Sequence, residues 1–385
     1  MYKPNYHDNS IVNLMASITS ALGRICTDYS PLAILSGEQI SPYKNVVLLV
    51  IDGLGDNTLS KLSPQGFLSR NRLGRMTSVC PTTTASAITS FVSGKAPLQH
   101  GLSGWFTWLR ELGTVTAVLP FRARFGGPPL NEQGIDIGPL LGWSSVFNGF
   151  DRPVLALQPL AIAHSHFSKA SLGQATHIGF VDFDHCLQLA SEQLKNSPGF
   201  IYAYWSELDR LAHRHGIGSR DVAQHLAELE ASIDSFASNL DADTLLLITA
   251  DHGLLDTDAA HTIELEHHPT LQECLNLPLC GEPRFAFCYL HGDKHEVFRD
   301  YIAQHLSQCC ELLSRKEMLD MGLFGLGQAH AEFSHRIGDY ALVMKENYVI
   351  KDLVGAEKAY TQIGVHGGLS EDELYVPLIQ ITQGQ

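Results

Sequence analysis

Positive charge is scarce in this chain. Its 385 residues carry 26 Lys and Arg against 41 Asp and Glu, a formal net charge of −15. Binding along a nucleic-acid backbone draws on clustered Lys and Arg, so sequence-independent binding of that kind is excluded. A small anionic substrate is not, because bound divalent cations set the local field of a site. The eight cysteines (Cys26, Cys80, Cys186, Cys274, Cys280, Cys288, Cys309 and Cys310) include no CxxC pair and no regular spacing. They read as reduced, mostly buried thiols. No apolar run reaches the roughly 18 residues of a membrane span. The segment Met1-Tyr2-Lys3-Pro4-Asn5-Tyr6-His7 lacks a positive cluster followed by an apolar stretch, so no signal peptide is expected and a cytoplasmic protein is. Several enzyme motifs are missing too. There is no G-x-S-x-G elbow and no HExxH, and Ser93-Gly94-Lys95-Ala96 lacks the upstream Gly and the Ser/Thr of a Walker loop.

The rest of the composition is that of an ordinary globular protein, 44% hydrophobic and 17% charged. The length permits one large core, or one domain with a substantial insertion. Asn45 to Ile51 is an unbroken apolar run ending in Asp-Gly, as expected of a parallel strand covered on both faces. Phe200 to Trp205 and Thr244 to Thr249 are similar runs, and Ser219 to Leu240 between them has helical periodicity. Ile11 to Leu22 reads as a helix on the outside of the core, and Thr84 to Val92 as a helix of small apolar residues. The alternation predicts an α/β fold, a mostly parallel sheet with helices on both faces. The stretch from 255 to 338 reads differently: a strand near Phe285 to Leu290, a helix over Glu296 to Leu306, and a strand–helix piece over Leu312 to Leu323. We take it as an inserted α+β cap, leaving 1–254 and 339–385 as the catalytic core.

Four separated segments, and a fifth near the C-terminus, carry side chains suited to metal chemistry. Asp52 ends the first apolar run, and Asp251-His252-Gly253 follows another, at the strand ends where open α/β sheets place their sites. Asp209 and His213 are spaced for one face of a helix. Thr84 closes a run of three threonines, and His366 sits in Val365-His366-Gly367-Gly368. Each signal alone has a plainer reading: a turn aspartate, a surface pair, a helix cap. Together they supply three carboxylates, three imidazoles and one hydroxyl, enough for two four-coordinate sites once a substrate oxygen or water joins. Paired metals clamp the attacking and leaving oxygens of an in-line displacement at phosphorus, so a phosphoryl-transfer hydrolase is expected. His215 falls outside the spacing and reads as exposed or supporting; His261, His267 and His268 read as solvated.

The segments VVLLVIDGLG, PTTTASAITSFVSGKAPLQHGL, ELDRLAHRHG, LLLITADHGL and GVHGGLSEDELYVPLI, from residue 46 to 379, resemble the alkaline phosphatase superfamily in its type I phosphodiesterase/nucleotide pyrophosphatase branch. The second is the most specific, with Thr84, Gly94, Pro97, His100 and Gly101 in register with the family's nucleophile helix. The last resembles bacterial cytoplasmic members. The resemblance implies two divalent metal ions. One would be held by Asp52, Asp251 and His252 with Thr84 as attacking ligand, the other by Asp209, His213 and His366. Zinc suits such mixed imidazole and carboxylate sets, with manganese as the alternative. It further implies a phosphothreonine intermediate, later hydrolysed by water, and a small phosphorylated substrate such as a nucleotide.

Two departures from the family pattern matter. Trp105 stands where the family has an Asn that donates to a phosphoryl oxygen, which opens the question of diester preference. Arg122 and Arg124 are candidates for a replacement charge, a solvated loop being the plainer reading. Ala85, Ser86 and Ala87 replace bulkier residues beside the nucleophile. Sulfatases are excluded because Cys80-Pro81 lacks the following Arg. Phosphonoacetate hydrolases, which also use Thr, phosphomonoesterases, and a non-catalytic metal-binding protein remain as alternatives. Membrane-anchored transferases do not, for want of an anchor.

Overall fold

Asn45–Ile51, Phe200–Trp205 and Thr244–Thr249 lie side by side in a computed structural model of the chain, which describes residues 1–23, 28–355, 357, 358 and 360–383. Every residue of Asn45–Ile51 and Thr244–Thr249 is buried. Successive side chains of a strand point to opposite faces, so both faces of the sheet are covered. The full order is Arg72–Thr77, Tyr375–Ile381, Thr244–Thr249, Asn45–Ile51, Phe200–Trp205, Val154–Pro159 and Thr176–Phe180. Its five consecutive strands from Thr244–Thr249 onward are parallel, and Tyr375–Ile381 runs antiparallel to both of its neighbours. Helices Ile11–Ala21, Thr84–Ser93, Phe183–Asn196 and Arg220–Ala237 contribute apolar residues to the same core. This is the α/β fold expected, with its helices near the predicted bounds.

Ile11–Ala21 differs from expectation. It is buried on all sides from Ile11 to Thr19 and packs against the Thr84–Ser93 and Gly37–Ile40 helices. Its mostly small and apolar sequence, without a single charge, gives it no solvent face to present.

A second sheet is antiparallel throughout, ordered Cys310–Ser314, Tyr340–Met344, Phe285–Cys288, Cys280–Glu282, Phe106–Leu109, Thr114–Ala117 and Arg122–Ala123. It extends beyond the 255–338 segment that the sequence reading sets apart, drawing strands also from 106–123 and from 340–344. The join is made where Gly281 pairs with Phe106. There a Cβ on Gly104, whose φ is +149°, would lie 2.6 Å from the Gly281 Cα. Glycine at this point lets the two halves meet, and the join brings Cys280–Glu282 beside Trp105. In the 255–338 segment, Phe285–Cys288, His295–Tyr301 continued by the π-helical Ile302–Leu306, and Cys310–Ser314 with Arg315–Asp320 match the predicted strand, helix and strand–helix piece. Of the cysteines, Cys26 lies outside the described residues. The other seven are unbridged, and all but Cys309 are buried.

Candidate active site

Three neighbouring strands deliver the acidic residues to the carboxyl edge of the main sheet. Asp52 directly follows Asn45–Ile51, with its backbone N–H donating to the Trp205 carbonyl at 2.8 Å. The next residue, Gly53, has φ +77°, and a Cβ there would come within 2.5 Å of Leu254 and 3.1 Å of the Asp209 Cβ. Glycine therefore permits the turn that brings Asp52 to Asp209. Asp251 and His252 follow Thr244–Thr249. Asp251 Oδ1 accepts the N–H groups of Gly53 (3.2 Å) and His252 (3.0 Å), which fixes the carboxylate and leaves Oδ2 without a partner. Asp209 and His213 lie one turn apart on Glu207–His215, with 3.2 Å between Asp209 Oδ2 and His213 Nε2.

The three imidazoles share one arrangement. His213 Nδ1 is 2.7 Å from the Gly364 carbonyl, His252 Nδ1 is 3.1 Å from that of Gly253, and His366 Nδ1 is 3.0 Å from that of Thr82. A carbonyl can only accept, so each Nδ1 carries a proton and Nε2 is the nitrogen left available to a metal. This is the supporting contact found behind metal-binding histidines. The His252 and His366 rings stack with centroids 3.9 Å apart, and His213 and His366 are 5.2 Å apart. Donor atoms of Asp52, Asp251 and His252 fall within 4.8 Å of one another, as do those of Asp209, His252 and His366.

The electrostatics are those of a cation site. Asp52 Oδ1, Asp209 Oδ1 and Asp251 Oδ2 are buried with no hydrogen-bond partner. Buried acceptors without partners are unusual, and a bound cation would satisfy all three. Burial, then the Asp251 and Asp209 charges, push the Asp52 carboxyl well above its ordinary pKa, against the Tyr204 hydroxyl that donates to its Oδ2. Burial likewise acts to raise Asp209, but His213, His366 and His252 outweigh it and bring it to about 2. Burial, then the His252 ring, hold His366 well below the usual imidazole range, in the neutral form that binds metals. The residues present therefore fit divalent cations: Asp52, Asp251 and His252 form one donor group and Asp209, His252 and His366 another, with His213 beside Asp209.

Thr84 is the first residue of the ten-residue Thr84–Ser93 helix. Its Oγ1 lies 3.2 Å from His252 Nε2 and 3.4 Å from Asp52 Oδ2. The opening N–H groups of a helix lack intrahelical partners and favour anions. Thr84 faces a cavity of about 440 Å³ also lined by Trp105, Phe106, Glu282, Lys351 and Tyr360, a volume suited to a small ligand.

The structure separates the remaining candidates. Trp105 lines this cavity, 39% exposed. Arg122 is exposed and away from it. Arg124 lines it, but every guanidinium nitrogen is engaged: Nε with Glu357 (3.0 Å), Nη1 with the Leu279 carbonyl (2.6 Å), and Nη2 with Asp352 (2.6 Å) and Glu357 (3.1 Å). It ties the cavity wall together and is not free to meet a phosphate, so neither arginine takes the place of the missing Asn. Its guanidinium also lies over the Phe106 ring, 4.1 Å from the centroid. Ser86 donates to the Leu102 carbonyl at 3.0 Å, and Ala85 and Ala87 are buried, so these three small residues pack the helix rather than shape the pocket. His215 and His267 are exposed, His261 is bound to Asp258 at 2.7 Å, and His268 Nδ1 meets the Tyr301 hydroxyl at 2.8 Å. Three residues in or behind the site are not among the candidates named from the sequence. Tyr204 holds Asp52, Glu373 holds the His366 loop, and Glu282 accepts at Oε1 from Thr83 Oγ1 (2.7 Å) and the Trp105 N–H (2.6 Å). Tyr204 reads in sequence as one more apolar strand position, Glu373 lies in the segment that carries His366 and closes a Ser370-x-x-Glu373 capping box, and Glu282 announces itself only by position in space.

The chain matches the family profile of the type I phosphodiesterase / nucleotide pyrophosphatase proteins over residues 46–130 and 144–369. Among solved structures it resembles murine ectonucleotide pyrophosphatase / phosphodiesterase 5, with TM-score 0.66 and 15% identity over 87% of both chains; that protein has also been solved in an inactive form with AMP. It also resembles phosphonoacetate hydrolase from Sinorhizobium meliloti, solved with phosphonoformate, with TM-score 0.61 and 17% identity over 88% of this chain and 90% of the other. No curated protein sequence matches it. The chain belongs to the type I phosphodiesterase / nucleotide pyrophosphatase family, whose members are hydrolases of phosphate esters, and it shares the fold of these neighbours.

Proposed function

We propose that this protein is a two-metal phosphodiesterase or nucleotide pyrophosphatase acting through a phosphothreonine at Thr84. The observation that carries the reading is the position of Thr84 Oγ1, at a helix N-terminus, beside Asp52 and His252 and at the wall of the cavity. Bound cations, with zinc matching the donor set, would lower the pKa of the Thr84 hydroxyl and neutralise charge on the attacking and leaving oxygens. Asp52, Asp251 and His252 would hold one, and Asp209, His213 and His366 the other.

The residues of the chain do the rest. Thr84 Oγ1 loses its proton to solvent and forms a bond to phosphorus while the bond to the leaving oxygen breaks. Water then attacks phosphorus, the Thr84 Oγ1–P bond breaks, and a monoester leaves. The helix N-terminus faces the phosphoryl oxygens with its unpartnered N–H groups. Trp105 and Phe106 offer aromatic surface to the leaving group. The AMP bound by the murine neighbour supports a nucleotide as substrate. Among the described residues no helix is long and apolar enough to cross a membrane, and the unbridged cysteines support a reducing, cytoplasmic setting.

The test is hydrolysis of bis-p-nitrophenyl phosphate, p-nitrophenyl phosphate and phosphonoacetate by zinc-loaded protein, repeated with chelator. Faster, chelator-sensitive cleavage of the diester is the expected result. Preference for the monoester or the phosphonate would replace this reading with one of the alternatives. Absence of turnover on all three, with two metals bound, would mark a metal-binding protein without catalysis.

A further inference from the structure

Glu282 is the one acidic residue of the cavity wall held against the nucleophile's neighbour. Its Oε1 accepts from Thr83 Oγ1 at 2.7 Å and from the Trp105 N–H at 2.6 Å. Thr83 is the N-cap of the Thr84–Ser93 helix, yet its hydroxyl makes no cap hydrogen bond. An N-cap threonine ordinarily satisfies the helix's own N–H groups; here that hydroxyl is given to Glu282. The side chain is 7% exposed and borders the same cavity as Thr84, Asp209, His213 and His366. The approach is built into the backbone. A Cβ on Gly367, at φ +114°, would fall 2.4 Å from the Glu282 Cβ, and one on Gly104 would strike the Gly281 backbone. Only glycine at both positions lets this acid reach Thr83.

The charge of Glu282 is not offset locally. Among the described residues no Lys or Arg forms an ion pair with it. Arg124 is committed to Asp352 and Glu357, and Lys351 rests with its ammonium 4.7 Å from the Tyr360 ring. Burial outweighs the two hydrogen bonds it accepts and the nearby His213, and brings its pKa up to about 7. Cations bound at Asp209 and His213 would favour the anion.

We propose that Glu282 selects substrates by charge at phosphorus, admitting the singly charged phosphoryl group of a diester and disfavouring the doubly charged group of a monoester. This rests on the phosphoesterase reading above and deepens it. A carboxylate beside the reacting phosphoryl group repels the second negative charge, and discrimination of this kind works by what it rejects. Phosphonoacetate, which adds a carboxylate to a phosphonate, is disfavoured for the same reason. The family's Asn position is taken by Trp105, which has no side-chain amide. Its backbone N–H instead anchors the acid that does the selecting.

The experiment compares wild type with Glu282→Gln and Glu282→Asp on bis-p-nitrophenyl and p-nitrophenyl phosphate at saturating zinc. Metal content and thermal midpoint are measured alongside. Gln retains an oxygen for Thr83 and Trp105 and removes the charge. The expected result is a rise of about tenfold or more in the monoester-to-diester ratio of kcat/KM, as for one close charge repulsion in a site of intermediate dielectric. Two metals remain bound, and Asp keeps the ratio within about threefold of wild type. Inorganic phosphate is the second readout, and its inhibition constant in Glu282→Gln falls by a similar factor. An unchanged ratio, or equal loss of both activities with metals retained, overturns the assignment while leaving the phosphoesterase reading intact. A zinc-loaded wild type that cleaves neither ester overturns both.

Discussion

Glu373→Gln is the perturbation that most directly tests how the site is held. Glu373 and Arg284 are 0% and 1% exposed and meet in two bonds, Nε to Oε1 at 2.7 Å and Nη2 to Oε2 at 3.0 Å. The same carboxylate accepts the N–H groups of Gly368 (2.7 Å) and Ser370 (3.2 Å) and the Ser370 hydroxyl (2.6 Å). Arg284 also donates to the Tyr348 and Glu346 carbonyls at 2.6 and 2.9 Å. The pair thus clamps the second sheet to the loop that carries His366. A Gln amide would set an NH₂ group against donors and leave the Arg284 charge buried without its counter-charge. Breaking one partner of such a pair costs about 3–5 kcal/mol. Urea denaturation at neutral pH should show that loss, and zinc titration should show weaker binding of one equivalent. Replacing both, as Arg284→Met with Glu373→Leu, should be less damaging than Glu373→Gln alone. The pH dependence has a definite sign. Burial opposes ionisation of Glu373, but Arg284, Ser370 and the Gly368 N–H outweigh it and hold its pKa below the ordinary value. A depressed folded pKa makes the contribution complete above the unfolded value, about 4.3, and lost as pH falls from there toward the folded value. A loss under about 1 kcal/mol with both metals held as tightly as in wild type would refute the clamp.

Three further outcomes are expected. Thr84→Ala should retain both metals by elemental analysis and lose turnover by about 10³-fold or more, while Thr84→Ser keeps part of it; unchanged hydrolysis in the Ala variant would remove Thr84 from the chemistry. His366→Ala should fold and bind only one of two metal equivalents, and two equivalents in that variant would sink its assignment as a ligand. Tyr204→Phe removes the hydroxyl that donates to Asp52 and should weaken metal affinity by about 10–100-fold. Unaltered zinc titration would show that burial alone orients Asp52.

The sequence by itself determined the main sheet and the acidic and imidazole residues gathered at its carboxyl edge. Asn45–Ile51, Phe200–Trp205 and Thr244–Thr249 are buried on both faces, and that requirement writes itself as unbroken apolar runs. Acidic residues just past such runs sit where parallel sheets expose their carboxyl ends, so Asp52, Asp251 and His252 were visible from local pattern. The spacing of Asp209 and His213 already placed them on one helical face. The tertiary structure decided what local pattern cannot carry. Strands from 106–123 and 280–344 join one sheet, and that join sets Glu282 against Thr83, 199 residues away in sequence. It also determined that Arg124, a plausible phosphate contact by charge, has its guanidinium spent on Asp352 and Glu357. Sequence pattern records which face of an element is buried and which residues end it. Which distant side chain a buried charge finds there depends on chain packing.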